Sequence, residues 1–279
     1  MRFHLKSTLD YQALEQATLI LNIEAMSDGQ TVHSESFTVT PDVPREAQAA
    51  HVAETGNRYR RLVLAPGSYR IAYAAEVDIS PSHEAPESVG EVPVSQLPLA
   101  VMPFLFPSRY CPSDRLARFA IRQFGTLPRG HERVTAICNW INEHVDYLAG
   151  SSDTDTAADD TFAMRAGVCR DFAHLGISFC RALGIPARFV SAYGWQLEPP
   201  DFHAVFEAWL GNRWYLFDAT RMSPIDGLVR IGVGRDAADT AFSTFFGAIA
   251  PGPMTISITP AGPSDVNRPW TTDAVSLSA

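Results

Sequence analysis

One cysteine lies where it could act as a nucleophile. Cys169 follows Gly167 and Val168, and the apolar and small residues after it predict a helix that ends at Gly184. The free N–H groups and the positive dipole end at a helix start favour an anion, and so the thiolate form of a cysteine. Because the thiolate is the reactive form, this position predicts nucleophilic chemistry on a carbonyl group.

A predicted hairpin offers a base for this thiol and a group to orient the base, as acyl chemistry requires. Residues 201–218 have the pattern of two strands joined by Gly211 and Asn212, a pair that tolerates positive φ. If those two residues form the loop, His203 and Asp218 are diagonal neighbours on one sheet face, with backbones roughly 7 Å apart. A slip of one residue would put them on opposite faces, so the register decides the pairing.

Three blocks of the sequence resemble the transglutaminase-like cysteine-enzyme family, and they occur in the family's order. The blocks are GVCRDFA at 167–173, RALGIPARFVS at 181–191, and DFHA at 201–204 with FDAT at 217–220. The resemblance covers roughly residues 108–246 and implies a papain-like core with a catalytic triad of Cys169, His203 and Asp218. The preceding strands resemble the β domain often found ahead of bacterial members.

Covalent acyl transfer is the mechanism that this resemblance implies. Cys169 would attack an amide carbonyl, His203 would take and return the proton, and Asp218 would fix the imidazole tautomer. The acyl-enzyme would react with water, as in a peptidase or amidase, or with an amine, as in a transglutaminase. Hydrolysis is expected, since it needs no second substrate site. Only the Cys169 N–H can be named for the oxyanion hole, because the tryptophan of tissue-type transglutaminases has no match here.

Other interpretations of these residues stay open. Cysteine is often buried and inert, so the chain could be an idle member whose groove binds a peptide or another protein. A zinc site of Cys169, His203 and Asp218 would lack a fourth spaced ligand, so neither a metal nor another cofactor is expected. Tyr193 and Trp195, just before His203, are expected to bind substrate, although aromatic residues on strands more often pack.

The elements that must position these residues change character along the chain. In the first hundred residues, short alternating runs separated by turn residues predict a β-sandwich or small barrel. Beyond the Pro-, Ser- and Glu-rich stretch 80–98, apolar residues recur at helical spacing in two successive segments. A strand at 254–259 is expected to complete the sheet that carries the hairpin.

The expected fold class is therefore α+β, with a β-sandwich-like domain ahead of a transglutaminase-like core of helices packed on an antiparallel sheet. The predicted boundaries are 1–102 for the β domain, 103–260 for the core and 261–279 for a loose C-terminal tail.

Composition limits the classes of partner. The 279 residues are 46% apolar and 19% charged, which is typical of a globular protein. A net charge of −9 argues against binding to nucleic acid or to an anionic membrane. The sequence has no run of about 18 uncharged apolar residues, which is the length that spans a bilayer. The four cysteines are too few and too spread for a disulfide scaffold. We expect a cytoplasmic protein that acts on a peptide or protein amide, with its oligomeric state open.

Overall fold

The computed structural model describes residues 1–42, 50–51, 55–262 and 270–277. The helices are α1 (Ser113–Phe124), α2 (His131–His144), α3 (Ala158–Met164) and α4 (Cys169–Ala182). The strands are β1 (Arg2–Ala13), β2 (Ala17–Leu21), β3 (Gln30–Thr40), β4 (Ala50–His51), β5 (Arg58–Leu64), β6 (Gly67–Ile79), β7 (Ser82–Glu84), β8 (Asp146–Tyr147), β9 (Ala166–Gly167), β10 (Ala187–Gly194), β11 (Phe202–Leu210), β12 (Arg213–Phe217), β13 (Leu228–Gly234), β14 (Ser243–Phe246), β15 (Ile249–Pro260) and β16 (Ala274–Ser276).

Two four-stranded sheets form the N-terminal β domain, in the orders β15-β1-β6-β3 and β14-β2-β5-β4. Strand β1 alternates strictly, so that Phe3, Leu5 and Leu9 enter the core while their neighbours face away. The predicted β-sandwich-like domain and the α+β class are confirmed. None of the helices in the described part of the chain is long and apolar enough to cross a membrane.

The last long strand returns to the β domain. Strand β15 runs antiparallel to β1, with Met254 opposite Leu9, and β14 pairs with β2. The prediction that 254–259 completes the hairpin sheet is therefore wrong. The reason is that alternation shows which face of a strand is buried but does not name its partner. Part of the range predicted for the core thus belongs to the sheets of the β domain.

The end of the chain is also more ordered than predicted. Residues Ala274–Ser276 pair with Ser82–Glu84, and Val275 and Leu277 are buried in the core. The expectation of a loose tail from 261 is wrong for this strand, because apolar side chains on both sides of Ser276 have a core to enter. Residues 263–269 and 278–279 of the predicted tail lie outside the described residues.

The second domain holds a sheet in the order β12-β11-β10-β13, with α4 packed across it. Gly176 permits the close approach of α4, because a Cβ at this position would lie 2.5 Å from Cε1 of Phe206 on β11. A ring cluster fills the space between the helices, formed by Phe119, Phe124, Trp140, Phe162 and Phe179. The helix that begins at Cys169 is therefore held directly against the strand that carries His203.

The hairpin has the predicted register. Gly211 and Asn212 form the loop with φ angles of 52° and 66°, and Leu210 pairs with Arg213. The ladder continues without a shift to Phe206 opposite Phe217. Positive φ at both loop residues matches the right-handed twist of the strands, which is why this turn sets the register.

Candidate active site

Cys169 is the first residue of α4 and is partly exposed. The helix start is closed by Asp171, whose Oδ2 accepts a hydrogen bond of 2.9 Å from the backbone N–H of Val168. The other oxygen, Oδ1, accepts from Arg170 at 2.9 Å. Asp171 therefore caps the helix and anchors Arg170, and it leaves the thiol face of the first turn open.

The other three cysteines differ from Cys169 in exposure. Cys111, Cys138 and Cys180 are buried, and all four are free thiols. Burial raises the pKa of Cys111 to about 12 and also raises the pKa of Cys138 and Cys180. Thiols of this kind stay protonated and unreactive at neutral pH. Cys169 is therefore the thiol that a substrate can reach.

His203 and Asp218 are hydrogen-bonded as a buried pair. His203 Nε2 lies 2.8 Å from Asp218 Oδ2, and the side chains are only 1% and 2% exposed. A carboxylate can only accept, so Nε2 carries the proton that is shared with Asp218. The second ring nitrogen, Nδ1, takes no part in this bond, and His203 and Cys169 line the same cleft.

Burial and charge act in opposite directions on the imidazole. Burial lowers the pKa of His203, but the Asp218 carboxylate and the Cys169 thiol more than offset it and raise the pKa to about 10. Burial also acts to raise the pKa of Asp218, yet His203 and Thr220 together hold it below its usual range. The pair is therefore an imidazolium and a carboxylate at neutral pH.

The loop after β12 holds Asp218 in place. Asp218 Oδ1 accepts hydrogen bonds from the Thr220 N–H and hydroxyl at 2.8 and 2.7 Å. Asn142 on α2 donates to the Ala219 carbonyl at 2.9 Å. Because both carboxylate oxygens accept hydrogen bonds, the Asp218 side chain keeps one orientation towards His203.

A cleft of about 640 Å³ leads to Cys169 and His203 between the two domains. One wall comes from α4 and strands β10 and β11; the other comes from residues 9–11 of β1, from 240–245 and from 251–254 of β15. Strand pairing between β1 and β15 shifts register between Leu9 and Tyr11, at the edge of the cleft. The β domain therefore forms part of the site, which sequence reasoning missed because no local pattern reports contacts between domains.

Two predicted substrate-binding residues lie elsewhere. Tyr193 is fully buried, and its hydroxyl donates to the Ile23 carbonyl at 2.8 Å and lies 3.1 Å from Ser7 Oγ. Trp195 is 6% exposed and packs against Phe3, with ring centroids 5.8 Å apart. Neither residue is among those that line the cleft, so the structure gives no support to the prediction that they bind substrate. Both pack in the core shared with the β domain: Tyr193 lies on β10, which is largely buried on both sides, and Trp195 follows the end of this strand.

Tyr193→Phe should reduce stability and leave the cleft intact. Loss of the hydroxyl leaves the buried carbonyl of Ile23 without this donor, so we expect the free energy of unfolding to fall by about 1–2 kcal/mol. Urea denaturation would measure the fall. Tyr110→Phe is the matched control, because its hydroxyl makes an exposed bond to Thr154 O and its loss should cost less. Unchanged stability of the Tyr193 variant would contradict this structural role.

The part of the chain that the structure describes contains no group of three or more His, Cys, Asp or Glu side chains arranged to hold a metal ion. The zinc interpretation of Cys169, His203 and Asp218 therefore gains no support. The Asp218 carboxylate instead orients the His203 imidazole, and the imidazole and the Cys169 thiol line the same cleft. Such an arrangement can activate a thiol as a nucleophile towards a carbonyl carbon.

Comparisons with known proteins agree with this class of site. Residues 118–219 match the transglutaminase-like superfamily, and residues 1–100 match the bacterial transglutaminase N-terminal domain. A crystal structure from Cytophaga hutchinsonii, described as a candidate cysteine protease, is 40% identical and superimposes with a TM-score of 0.93. The match covers 99% of this chain and 97% of that one.

Mycobacterial relatives match a shorter part. An uncharacterized protein of Mycobacterium leprae is 33% identical over 151 residues, which are 49% of this chain and 52% of that protein. One from Mycobacterium tuberculosis H37Rv is 32% identical over 108 residues, covering 33% and 34% of the two chains. The matched segments thus span about half of the M. leprae protein and a third of the M. tuberculosis protein.

The fold and the site define a thiol-centred transglutaminase-like core that is joined to a β domain. The chain belongs to the transglutaminase-like superfamily, in the form that carries a bacterial transglutaminase N-terminal domain. The resemblance predicted from the three sequence blocks is confirmed.

Proposed function

We propose that the protein is a cysteine-dependent amide hydrolase, a peptidase or amidase, with Cys169, His203 and Asp218 as its catalytic triad. The observation that carries the proposal is the buried 2.8 Å hydrogen bond from His203 to Asp218, in a pair whose histidine lines the same cleft as the Cys169 thiol. A structural cysteine needs no such partner. The hydrolase class is also consistent with the description of the C. hutchinsonii relative.

The proposed reaction has two steps. Cys169 Sγ, its proton passed to His203, bonds to the amide carbonyl carbon, and the π electrons move to the oxygen. The tetrahedral intermediate collapses, the C–N bond breaks, and His203 gives its proton to the leaving nitrogen. Water then attacks the thioester with His203 as base, which releases the acid and restores the thiol. Asp218 keeps the imidazolium oriented throughout and stays ionised.

The cleft favours an apolar acyl group. Around Cys169 and His203 its lining is rich in rings and other large apolar side chains, including Tyr110, Phe189, Phe202, Phe242, Phe245 and Met254. Apolar side chains of a substrate bind such surfaces because the removal of apolar surface from water is favourable. Apart from His203, the charged groups in the lining are Asp10, Asp201 and Arg170. We therefore propose a peptide or protein amide with an apolar residue on the acyl side of the scissile bond.

Pulse alkylation with iodoacetamide separates an enzyme from an idle binding module. At pH 6 we expect Cys169 to react at least about tenfold faster than the other three thiols, because His203 supplies a cation to its thiolate and burial keeps the others protonated. Peptide mapping of the labelled protein would measure the rates. His203→Ala should remove the excess. Equal, slow labelling of all four thiols would contradict the proposal.

A second experiment separates hydrolysis from amine transfer, which is the alternative within the enzyme class. The protein is incubated with a peptide library that carries glutamine and apolar residues, in the presence of a fluorescent primary amine. We expect free acids and no labelled peptide, because nothing in the proposed reaction requires a second substrate site. Amine incorporation that outcompetes hydrolysis would overturn the choice of water as acceptor.

A further inference from the structure

The β domain meets the cleft with the edges of its two sheets. Strands β14 and β15 stand at the ends of the two sheet orders, and residues of both line the cleft that holds Cys169 and His203. Within the ranges that the structure describes, no strand pairs with the outer edge of either one. An unpaired edge carries free backbone N–H and C=O groups that can bind another extended chain. Two such edges therefore lie beside the candidate nucleophile.

The edge of β15 is poorly suited to bind a strand. Its cleft residues, 251–254, include Pro251 and Pro253, and proline has no N–H to donate. The pairing of β15 with β1 also shifts register between Leu9 and Tyr11, opposite this segment. An incoming chain would thus find neither a regular edge nor a full set of donors on β15.

Strand β14 has the features of an open edge. Ser243–Phe246 contains no proline and no charged residue, which are the devices that usually protect an edge from another chain. Ser243 and Phe245 line the cleft, and Phe245 makes an edge-to-face contact with Tyr11, with ring centroids 5.6 Å apart. The strand is therefore fixed to the β domain, and its unprotected edge lies at the cleft.

Hydrogen bonding to β2 leaves alternate backbone groups of β14 free. The Asn22 N–H donates to Phe242 O at 3.0 Å. The strand ladder begins at the next pair, Ser243 and Leu21. Bonded and non-bonded pairs alternate along an antiparallel ladder, so the N–H and C=O groups of Ser243 and Phe245 point away from β2. These two residues are roughly 7 Å apart, which is the spacing of alternate residues in any extended chain.

We propose that the substrate is an extended peptide segment that adds to β14 as a further strand. Its main chain exchanges hydrogen bonds with Ser243 and Phe245, and its side chains on the cleft side pack against the apolar lining. The bound segment leads along the same cleft to Cys169. The inference rests on the proposed function, and it narrows the substrate from amides in general to the main-chain amides of extended peptide segments.

N-methylation of the substrate tests the pairing without changing the protein. A peptide selected from a fluorogenic library is synthesised as a series, with one N-methyl group at each backbone amide in turn except the scissile one. We expect KM to rise about three- to tenfold at two amides that are two residues apart, because each loses a hydrogen bond to β14. Methylation of the amide between them should change KM less than about twofold, since its N–H points away from β14. Equal effects at every amide, or none at any, would overturn the proposal.

Phe245→Pro removes one donor from the protein side, and Phe245→Ala is the matched control because both variants lose the ring. Proline is tolerated in an edge strand where the ladder does not use the N–H. We expect the KM of Phe245→Pro to exceed that of Phe245→Ala about three- to tenfold, the effect of one lost hydrogen bond. An equal KM in the two variants would show that this edge does not bind the main chain of the substrate.

Acylation of Cys169 by 4-nitrophenyl acetate separates failure of this docking site from failure of the proposed function. The ester has no peptide chain to bind β14, so both Phe245 variants should be acylated within about twofold of the wild-type rate. If acylation is normal but KM shows no such pattern, only the β14 assignment fails. If the wild type itself is not acylated, the proposed function fails and the β14 assignment fails with it.

Discussion

Replacing Cys169 by alanine should abolish turnover. The nucleophile has no substitute within the described residues of the cleft, so we expect kcat/KM on a peptide selected from a fluorogenic library to fall on the order of 10⁴-fold or more. The loss should appear in kcat, because the cleft walls that bind the peptide are unchanged. Steady-state kinetics of the purified variant would measure it.

Cys180→Ala is the matched control, because it makes the same substitution on the same helix. Cys180 is buried, and burial raises the pKa of its thiol. The variant should lose some stability through a small cavity but retain its turnover. Equal activity of the wild type and Cys169→Ala would show that the Cys169 thiol is not the nucleophile.

Asp218→Asn should have nearly as large an effect. An asparagine amide can donate to His203 Nε2, which moves the ring proton to Nδ1 and prevents that nitrogen from taking the thiol proton. We expect kcat to fall roughly 10³- to 10⁴-fold, the size of effect seen when a triad carboxylate is neutralised. Iodoacetamide labelling of Cys169 at pH 6 should fall as well.

The same variant changes the pH dependence of stability. In the wild type the pKa of His203 is raised to about 10, so the stabilisation is complete below the unfolded value of 6.5 and is lost as the pH rises towards 10. Without the Asp218 charge, burial should dominate and lower the pKa, so that this loss between pH 6.5 and 10 disappears. Urea denaturation across this pH range would measure the change.

Asp78→Asn is the matched control for the carboxylate. Asp78 also accepts a hydrogen bond from a histidine, His33, at 2.7 Å, but the pair is exposed on the β domain. The variant should keep its turnover. A loss of turnover in Asp78→Asn as large as that in Asp218→Asn would show that the effect is not specific to the triad.

Local chemistry explains why the triad could be predicted from the sequence. Gly211 and Asn212 adopt positive φ, so the hairpin register follows from the turn alone, and this register brings His203 and Asp218 together. The start of α4 likewise follows from the residues around Cys169. Each of these steps depends on neighbours in the chain or on one ladder of strand pairs.

What could not be predicted depends on contacts between distant segments. Tyr193 has the pattern of a strand residue near the site, yet only the position of the β domain shows that its hydroxyl faces Ile23. A strand forms at 254–259 as predicted, but it belongs to β15, whose partner is β1, more than 230 residues away.

The most direct test of the proposed triad is to identify the acyl-enzyme. The protein is mixed with 4-nitrophenyl acetate, quenched in acid and mapped by mass spectrometry, with hydroxylamine used to cleave thioesters. We predict that Cys169 carries an acetyl group that hydroxylamine removes, and that none of the other three cysteines carries one. We also predict that this group forms far more slowly in His203→Ala. An acetyl group at another residue, or one that forms at the same rate without His203, would contradict the account.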